Sequence, residues 1–501
     1  MHYAEGWPFL SEKIGNLETM TKLLDNREDT SRSNSPLWKR VIAWGGKNWF
    51  YITLSLLAVI VVPCAFFIPP HIPGLKDDGN TVVSVRQSIL AVLAGALTML
   101  TLWETHRKNT HERDKNERDH IRQVKAERRS RYAKAIEQLA DDKAPIRRGG
   151  IYTLAKLVDE WLADDKTVPA KEERLSEGQV IIDSLCAYIR SSYPLSIHKK
   201  ALERSHEPVD YPGNFLLDQT KFREEQEVRQ LIIKEITKRL NDGSAFEDNM
   251  PKRPQRGPWS DFIYDFSKAT FFYVVDFKNS FFNKDVIFNN AKFIHGADFN
   301  NSYFKQSANF ENSEFSGPAG SVGSAKFLNS KFESDVKFSG STFIRDAHFN
   351  NTVFTHKASF ENVRFNKKAV FSDALFEQSA SFKNTYFTGG IKFFRAIFKK
   401  SADFSSSYFF HEANFFKAEF HQQPIFKSMN LGITYIAQFS YKDCQINFSV
   451  STQNGAVQVK TTKVIAPNKA IFLLPEGADL FNPDNPNDFS KGMVISPGGK
   501  G

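Results

Sequence analysis

The chain has 501 residues, of which 66 are Lys or Arg and 57 are Asp or Glu, so its formal net charge is +9. A chain of this length is expected to hold two to four domains, and the charge is only mildly basic for that size. The three cysteines, Cys64, Cys186 and Cys444, lie far apart in segments of different character, which excludes a metal-binding spacing and a disulfide framework. We therefore expect the soluble parts to work in a reducing compartment.

Two uncharged runs near the N-terminus predict a two-helix transmembrane hairpin over residues 47–104. Residues 1–46 are polar, contain no cleavable signal sequence and are expected to form a cytosolic lead. The first run, residues 49–68, has twenty residues without a charge and is long enough to span a bilayer. The second run, residues 87–103, is shorter, and a buried or interfacial helix is the alternative interpretation for it.

The charges around these runs predict their orientation. The loop between them has only two basic residues, Lys76 and Arg86, whereas both outer flanks are richer in Lys and Arg. The basic residues of the flanks are Lys39, Arg40, Lys47, Arg107, Lys108, Arg113, Lys115 and Arg118. By the positive-inside rule we expect a multi-pass protein in a lipid bilayer with its N- and C-termini in the cytoplasm.

Residues 105–131 are mostly charged or polar and contain neither Pro nor Gly. Opposite charges recur four residues apart, as in Glu104 with Lys108 and Glu127 with Arg131, and such pairs support a helix. We expect a charged helical stalk that prolongs the second span, with a partly disordered linker as the alternative. Nucleic acid is not expected as a partner, because the charges are mixed in sign and no aromatic residues are interleaved for stacking.

Residues 132–241 predict an α-helical module. Apolar residues recur at helical spacing on both sides of Pro145, which indicates two short amphipathic helices and a tight turn, similar to a HEAT-type pair. Gly149 and Gly150 would allow close helix contact, and they lack the flanking strand and spacing of a phosphate loop. Two further helices are predicted at Val180–Ile189 and Glu224–Leu240. A linker is predicted over residues 242–261.

Between Tyr264 and Phe426, phenylalanine recurs after five residues and then after six, which gives a period of eleven. Fourteen such units fit, with one six-residue insertion around Gly317–Gly323, and they hold 28 of the 47 phenylalanines. A fixed period of this kind indicates a repeat architecture. We assign to the structural core of the repeat Phe277, Phe282, Phe288, Phe293, Phe299, Phe304, Phe310, Phe315, Phe327, Phe332, Phe338, Phe343, Phe349, Phe354, Phe360, Phe365, Phe371, Phe376, Phe382 and Phe387.

This spacing excludes both a helix and a flat strand. Five residues rotate a side chain by about 140° on a helix, and an odd spacing alternates between the two faces of a strand. The chain must therefore turn between successive rings, so that each short extended piece sends its ring to a common interior. Small residues beside the rings, such as Ser302 three positions after Phe299, agree with a tight coil. We predict a β-solenoid over residues 262–427.

The order of a small residue, a polar residue, Phe and two more polar residues resembles the pentapeptide-repeat family. It is clear in units such as Ala297–Ser307 and Ala358–Lys368, although every second pentapeptide here carries an extra residue. The resemblance implies a right-handed quadrilateral β-helix, in which four pentapeptide sides make one coil. If two eleven-residue units make a coil, fourteen units give seven coils and roughly 34 Å of rod at about 4.8 Å per coil. One unit per coil is the alternative.

The membrane hairpin and helices before the repeat extend this resemblance to bacterial membrane-anchored pentapeptide-repeat proteins. It implies the bacterial inner membrane as the location. Past the repeat, short alternating runs over residues 428–480 predict a small β cap, which would cover the open ladder of the last coil. Residues 481–501 are rich in Asn, Pro and Gly and are expected to form a disordered tail.

No catalytic, cofactor-binding or metal-binding motif is recognisable in the sequence. Asp276, Asp298 and Asp403 each precede a repeat phenylalanine, so we expect them on a solvated outer wall rather than in a pair of catalytic acids. His106 and His111 are five residues apart and do not share the helical face that a metal pair needs. We therefore predict no enzyme and no cofactor.

The repeat and the apolar runs together favour a membrane-anchored scaffold that presents a rigid cytosolic rod to an unknown protein partner, with homo-oligomerisation as a further possibility. The alternative is a membrane effector or sensor whose hairpin oligomerises and relays a signal to the rod. A DNA mimic that binds topoisomerases is disfavoured, because residues 264–426 hold 19 Lys and Arg against 15 Asp and Glu. That balance has the wrong sign for an imitation of phosphates.

Overall fold

The computed structural model describes residues 79–241, 254–318, 323–442 and 444–485, and thirteen positions between 50 and 67. The chain divides into two compact units, Met1–Val124 and Lys125–Gly501. Several predicted segments lie outside the described residues: the lead 1–46, most of the loop between the apolar runs, 242–253 of the linker, 319–322 of the insertion and 486–501 of the tail.

One helix, α1, runs from Gly79 to Leu139 over 61 residues, which is about 90 Å at 1.5 Å per residue. No proline interrupts it, so the prediction of one continuous helix through the second apolar run and the charged stalk is confirmed. The Glu104–Lys108 and Glu127–Arg131 pairs lie 3.9 Å apart. Glu127 and Lys108 are exposed, whereas the Glu104 side chain is only 12% exposed. Pairs with an exposed member contribute little beyond local helix support.

Among the described residues, one helix, Asn80–Leu139, is long and apolar enough to cross a membrane, on the grounds of length and composition alone. The described positions of the first apolar run, between Phe50 and Phe67, are also helical. Arg86 at the start of α1 donates a hydrogen bond of 3.1 Å to the carbonyl of Phe66. The pairing of two spans into a hairpin stays a prediction.

The helical module continues from the end of α1. Its helices are α2 Ala144–Ala163, α3 Lys171–Arg190, α4 Lys199–Leu202 and α5 Phe215–Arg239, with a 3₁₀ turn at Pro194–His198. The prediction of two short helices around Pro145 was wrong for the first of them, because the residues up to Leu139 form the end of the long α1. The HEAT-like arrangement stays a prediction.

Gly150 allows α1 and α2 to approach closely. A Cβ at this position would lie 2.8 Å from the carbonyl oxygen of Ala135 and 3.1 Å from the amide of Leu139, whereas Gly149 has open space around it. Close helix contact was therefore correctly predicted for Gly150 and not for Gly149. Arg128 pairs with Asp164, the residue after α2, at 2.7 Å. The Tyr132 hydroxyl lies 2.9 Å from that of Ser184 and joins α1 to α3.

The repeat folds into a four-sided parallel β-solenoid of seven coils. Each strand pairs with the strand 22 positions further on, as Tyr264 does with Val286, so two eleven-residue units make one coil. The preferred of the two coil lengths is thus confirmed. Across the inserted residues the step grows to 28, from Ala297 to Ala325, and the ladder continues on the same face.

The four faces are named A to D in chain order. Face A contains Tyr264–Asp265, Val286–Ile287, Ala308–Asn309, Val336–Lys337, Ala358–Ser359, Ala380–Ser381 and Ala402–Asp403. Face B contains Thr270–Phe271, Lys292–Phe293, Glu314–Phe315, Thr342–Phe343, Arg364–Phe365, Tyr386–Phe387, Tyr408–Phe409, Gln438–Ser440 and Asp479–Phe481. Face C contains Val275–Asp276, Ala297–Asp298, Ala325–Lys326, Ala347–His348, Ala369–Val370, Ile391–Lys392, Ala413–Asn414 and Ile446–Asn447. Face D contains Phe281–Phe282, Tyr303–Phe304, Lys331–Phe332, Val353–Phe354, Leu375–Phe376, Ile397–Phe398 and Glu419–Phe420.

The phenylalanines fill the interior as four columns of stacked rings. All twenty assigned to the core are at most 1% exposed. Along one column, Phe349 lies 4.9 Å from Phe327 and 4.6 Å from Phe371 between ring centroids, with the planes within 5° of parallel. The small residues beside them also bond between coils: the Ser302 hydroxyl donates to the carbonyl of Phe277 at 2.7 Å.

Each eleven-residue unit turns through a left-handed residue two positions after its first phenylalanine. Eight of these fourteen positions hold Asn, as at Asn301 with φ 57°, and Gly340 holds another with φ 73°. Asn tolerates this backbone conformation better than most residues. Its amide also links coils, because Asn301 donates to the side-chain oxygen of Asn279 at 3.1 Å and accepts from Asn329 at 3.0 Å.

Helices close the first coil. The Phe281 amide donates to the carbonyl of Leu240 at 3.0 Å, and the Asn283 amide donates to that of Ser260 at 2.9 Å. Trp259, which we had placed in the linker, is completely buried and donates to Asp159 of α2 at 2.8 Å. The first strand of face D is therefore paired with Leu240, at the end of α5, and with Ser260.

The last coil is covered on all four faces by residues 425–481. Bridges at Ile425 and Ser451 cover faces A and D, and the strands after Phe426 extend faces B and C. Two antiparallel hairpins complete this cap, Lys427–Asn430 with Ile433–Ile436 and Thr461–Ile465 with Ile471–Pro475. The predicted tail began too early, because Phe481 belongs to the last strand and is 2% exposed.

Candidate interaction face

The outward position of each two-residue strand decides the chemistry of its face. On faces A, B and C these positions are mainly polar: face A has one apolar residue there, face B two tyrosines and face C one valine in the seven coils. Face D has four apolar residues and one tyrosine among its seven. Its outward column reads Phe281, Tyr303, Lys331, Val353, Leu375, Ile397 and Glu419.

The column on face D is continuous along the rod. Phe281 and Tyr303 stack at 4.6 Å between centroids, and the Lys331 ammonium lies 5.4 Å from the Tyr303 ring. Val353, Leu375 and Ile397 follow on three successive coils, paired in register. All are half-buried by the coils above and below. An apolar stripe of this length on an otherwise polar surface is typical of an interaction site.

Each stripe residue stands next to a buried ring, which fixes its position. Leu375 precedes Phe376, for example, and its amide donates to the carbonyl of Thr352 in the preceding coil at 2.9 Å. The backbone of face D is thus hydrogen-bonded at every coil while the interior behind it is closely packed. A partner would meet a preformed surface with little conformational entropy to lose on binding.

The charges beside the stripe are paired with one another. Lys331 donates to Glu333 at 2.6 Å, Arg395 lies 2.6 Å from Asp373 and Lys399 lies 3.3 Å from Glu377. The hydrogen bond from Lys331 lowers the pKa of Glu333, so that carboxylate stays ionised. These exposed pairs add little stability, but they leave no strong net charge along the stripe.

A groove lies where face D meets the C-terminal cap. It has a volume of about 770 Å³ and is open to solvent. Its lining residues are Asp373, Arg395, Ile397, Lys417, Glu419, Val450, Ser451, Thr452 and Gln453. The last apolar residue of the stripe, Ile397, therefore forms part of the wall of this groove, and the stripe and groove make one continuous surface.

Face C carries a smaller basic cluster. Glu412 lies 3.6 Å from Lys368 and 3.4 Å from Lys392, so one carboxylate serves two ammonium groups. Burial lowers the pKa of Lys368, and the neighbouring Lys392 lowers it further. Burial likewise lowers the pKa of His348 on the same face, which keeps that imidazole neutral at pH 7.

The acidic residues singled out from the sequence do not form a catalytic pair. Asp276 and Asp298 share Lys278, at 3.8 and 3.4 Å. Asp298 is only 8% exposed, because neighbouring coils cover it, so our expectation of a solvated side chain was wrong there. Burial raises its pKa. In the part of the chain that the structure describes, no group of three or more His, Cys, Asp or Glu is placed to hold a metal ion.

The cysteines are free thiols in the described residues. Cys186 is completely enclosed, and Cys444 is 7% exposed. Burial raises the pKa of Cys444 to about 12 and raises that of Cys186 as well. Neither thiol has the thiolate character that a nucleophile requires.

The core phenylalanines themselves face inward and cannot contact a partner. The stripe on face D was missed in the sequence because its members lie 22 residues apart, or 28 across the insertion. The signal was present one position before the second phenylalanine of every second unit. The apolar pattern becomes visible only when it is known that two units make one coil, so that every second unit lies on the same side.

The comparisons with known proteins agree with the repeat. The profile of the family described as "Pentapeptide repeats (9 copies)" matches residues 323–364. These residues cover the strands from Ala325–Lys326 to part of Arg364–Phe365, in the middle of the solenoid. Neither the curated proteins nor the solved structures contain a match to the chain.

Proposed function

We propose that this chain, which carries a pentapeptide-repeat β-helix, is a non-enzymatic scaffold that binds a protein partner on face D. The observation that carries the proposal is the apolar stripe on one of four otherwise polar faces, fixed by hydrogen bonds at every coil. Repeat rods bind partners on such extended surfaces. The paired charges beside the stripe favour an apolar partner surface over a strongly charged one such as nucleic acid.

Capture of partners by the full chain tests this proposal. We expect a tagged chain, crosslinked in native membranes, to retain a protein that is lost when Leu375→Glu places a charge in the stripe. Val370→Glu is the matched control, because Val370 is a half-buried outward residue of the same coil on face C. Identical protein sets from the wild type and both variants, with an untagged second copy of the chain counted among the captured proteins, would contradict binding on face D.

The second part of the proposal is an anchor in the bacterial inner membrane, with both termini in the cytoplasm. It is supported by the apolar first part of α1, whose 18-residue apolar window is not buried, and by the excess of Lys and Arg on the outer flanks of the two runs. We expect a reporter enzyme that works only outside the cytoplasm to be active when it is fused after Lys76. A reporter that works only in the cytoplasm should be active when it is fused to the C-terminus. An extracytoplasmic C-terminus would overturn this part of the proposal.

A further inference from the structure

The order of charged and apolar residues on face D points to its occupant. Five successive coils present Lys331, Val353, Leu375, Ile397 and Glu419. The sequence of types is therefore a cation, three aliphatic residues and an anion, with Leu375 at the centre. When the order is reversed, Leu375 coincides with itself, Val353 with Ile397 and Lys331 with Glu419, so each aliphatic residue meets an aliphatic residue and each charge meets its opposite.

We infer that the partner on face D is a second copy of this chain, packed face to face and antiparallel about a two-fold axis through Leu375. An antiparallel two-fold keeps each column opposite its own copy with the order of coils reversed. Leu375 then meets Leu375, Val353 meets Ile397, and Lys331 meets Glu419 twice. This inference rests on the proposed function, since it names the partner of the same face.

Electrostatics decides between this arrangement and a parallel one. In a parallel dimer each coil would face its own copy, so that Lys331 would meet Lys331 and Glu419 would meet Glu419. Like charges in such positions are repulsive, whereas the antiparallel arrangement makes both contacts attractive. Beside the stripe, the same operation places Glu333 opposite His421, which adds no like-charge contact.

The residues two positions before each stripe residue form a column beside the stripe. The centre of this column, Asp373, is compatible with the two-fold axis. Asp373 would approach its own copy there, but each Asp373 keeps Arg395 at 2.6 Å. The guanidinium reaches it from the next coil, so the two carboxylates meet already neutralised. On the other side of the stripe, two positions after Leu375, Glu377 is likewise paired with a cation of the next coil, Lys399, at 3.3 Å.

The geometry also excludes a partner that adds a strand. On face D, Phe281 and Asn283 of the first coil donate to Leu240 and Ser260, and Ala418 and Phe420 of the last coil accept from Ser451 and Val457, so both ends of its ladder are occupied. The occupant of face D must therefore contact side chains rather than backbone groups. A surface only one face wide is small beside the roughly 1,600 Å² of a typical stable interface, so we expect the dimer to depend on concentration and to need crosslinking for detection.

Site-specific photocrosslinking tests the inference in the full chain in membranes. Benzoylphenylalanine in place of Val353 should form an adduct with the peptide that contains Ile397 of a second, differently tagged copy. The same group in place of Ile397 should mark the peptide that contains Val353. Leu375→Glu should reduce both adducts by at least about tenfold, since it places like charges on the axis, and Val370→Glu should leave them unchanged.

The other outcomes separate this inference from the proposed function. An adduct between two copies at position 353 would indicate a parallel dimer and overturn the antiparallel assignment. Adducts only with a different protein would overturn the inference while the proposed scaffold role stands. Absence of any protein adduct at either position would overturn both. The charge exchange Lys331→Glu with Glu419→Lys gives an independent check: each single change should weaken the adducts, and the combination should restore them.

Discussion

Replacing Arg229 with Ala should lower the free energy of unfolding at the helical end of the rod by about 3–5 kcal/mol. Arg229 is only 2% exposed, and its Nε donates to Glu225 at 2.6 Å. Its other nitrogens donate to the carbonyls of Ile189 at 2.8 Å and Ser191 at 3.0 Å. Its guanidinium also lies 5.3 Å from the ring of Phe272, so that it joins α3 and α5 to the first coil.

The expected loss is large because Arg229→Ala leaves buried polar groups without their partner. Glu225 stays 6% exposed, and its remaining neighbours are Tyr188 at 2.9 Å and Arg147 at 3.5 Å. Arg148→Ala is the matched control: its side chain is 44% exposed and lies 3.5 Å from Glu227, and such pairs contribute about 1 kcal/mol or less. Amide hydrogen exchange of α3 and α5 measures the loss of stability in each of the two variants. Equal protection in the two variants would refute the structural role of Arg229.

Phe349→Ala should cost about 3–5 kcal/mol in the middle of the rod. The ring is completely buried between Phe327 and Phe371 of its column, and it meets Phe338 and Phe360 edge to face at 5.5 Å. The substitution removes these contacts and leaves a cavity that the hydrogen-bonded coils cannot close. Because each coil contacts only its neighbours, we expect faster hydrogen exchange in the third to fifth coils, while the first and seventh keep their protection.

Two controls separate this effect from general damage. Phe349→Leu keeps most of the buried carbon and should cost clearly less than Ala. Phe394→Ala removes a ring that is half-exposed on the outside of the rod and should leave the exchange of the inner amides nearly unchanged. A loss of protection spread evenly over all seven coils after Phe349→Ala would show that the rod unfolds as one unit instead.

The solenoid could be predicted because one residue type repeats its physical role without exception. A phenylalanine every five or six residues has only one arrangement that buries all the rings, and the chain must turn between them. The turn itself was also readable. Asn279, Asn290 and Asn301 stand at the same position of successive units, and Asn is the residue that best tolerates a left-handed backbone after Gly. Our prediction did not include these left-handed turns.

The parts that were missed depend on contacts between distant segments. Trp259 follows a Pro-, Gly- and Arg-rich stretch that is typical of a linker, yet Asp159, a hundred residues earlier, accepts the hydrogen bond that allows its burial. The end of α1 was assigned to a separate helix because its apolar residues begin at Ala133, where the long helix first meets α2. The candidate face required both the coil length and the side on which each unit lies, and only pairing between coils fixes these.

The 22-residue coil has a consequence for how such a rod can change in evolution. Duplication of 22 residues would add one coil and leave every downstream column on its own side. Duplication of eleven residues, the period visible in the sequence, would add half a coil and exchange face A with C and face B with D. The ladders keep their register across the six additional residues around Gly317–Gly323. The solenoid can therefore become longer by whole coils, while face D stays on the same side of it.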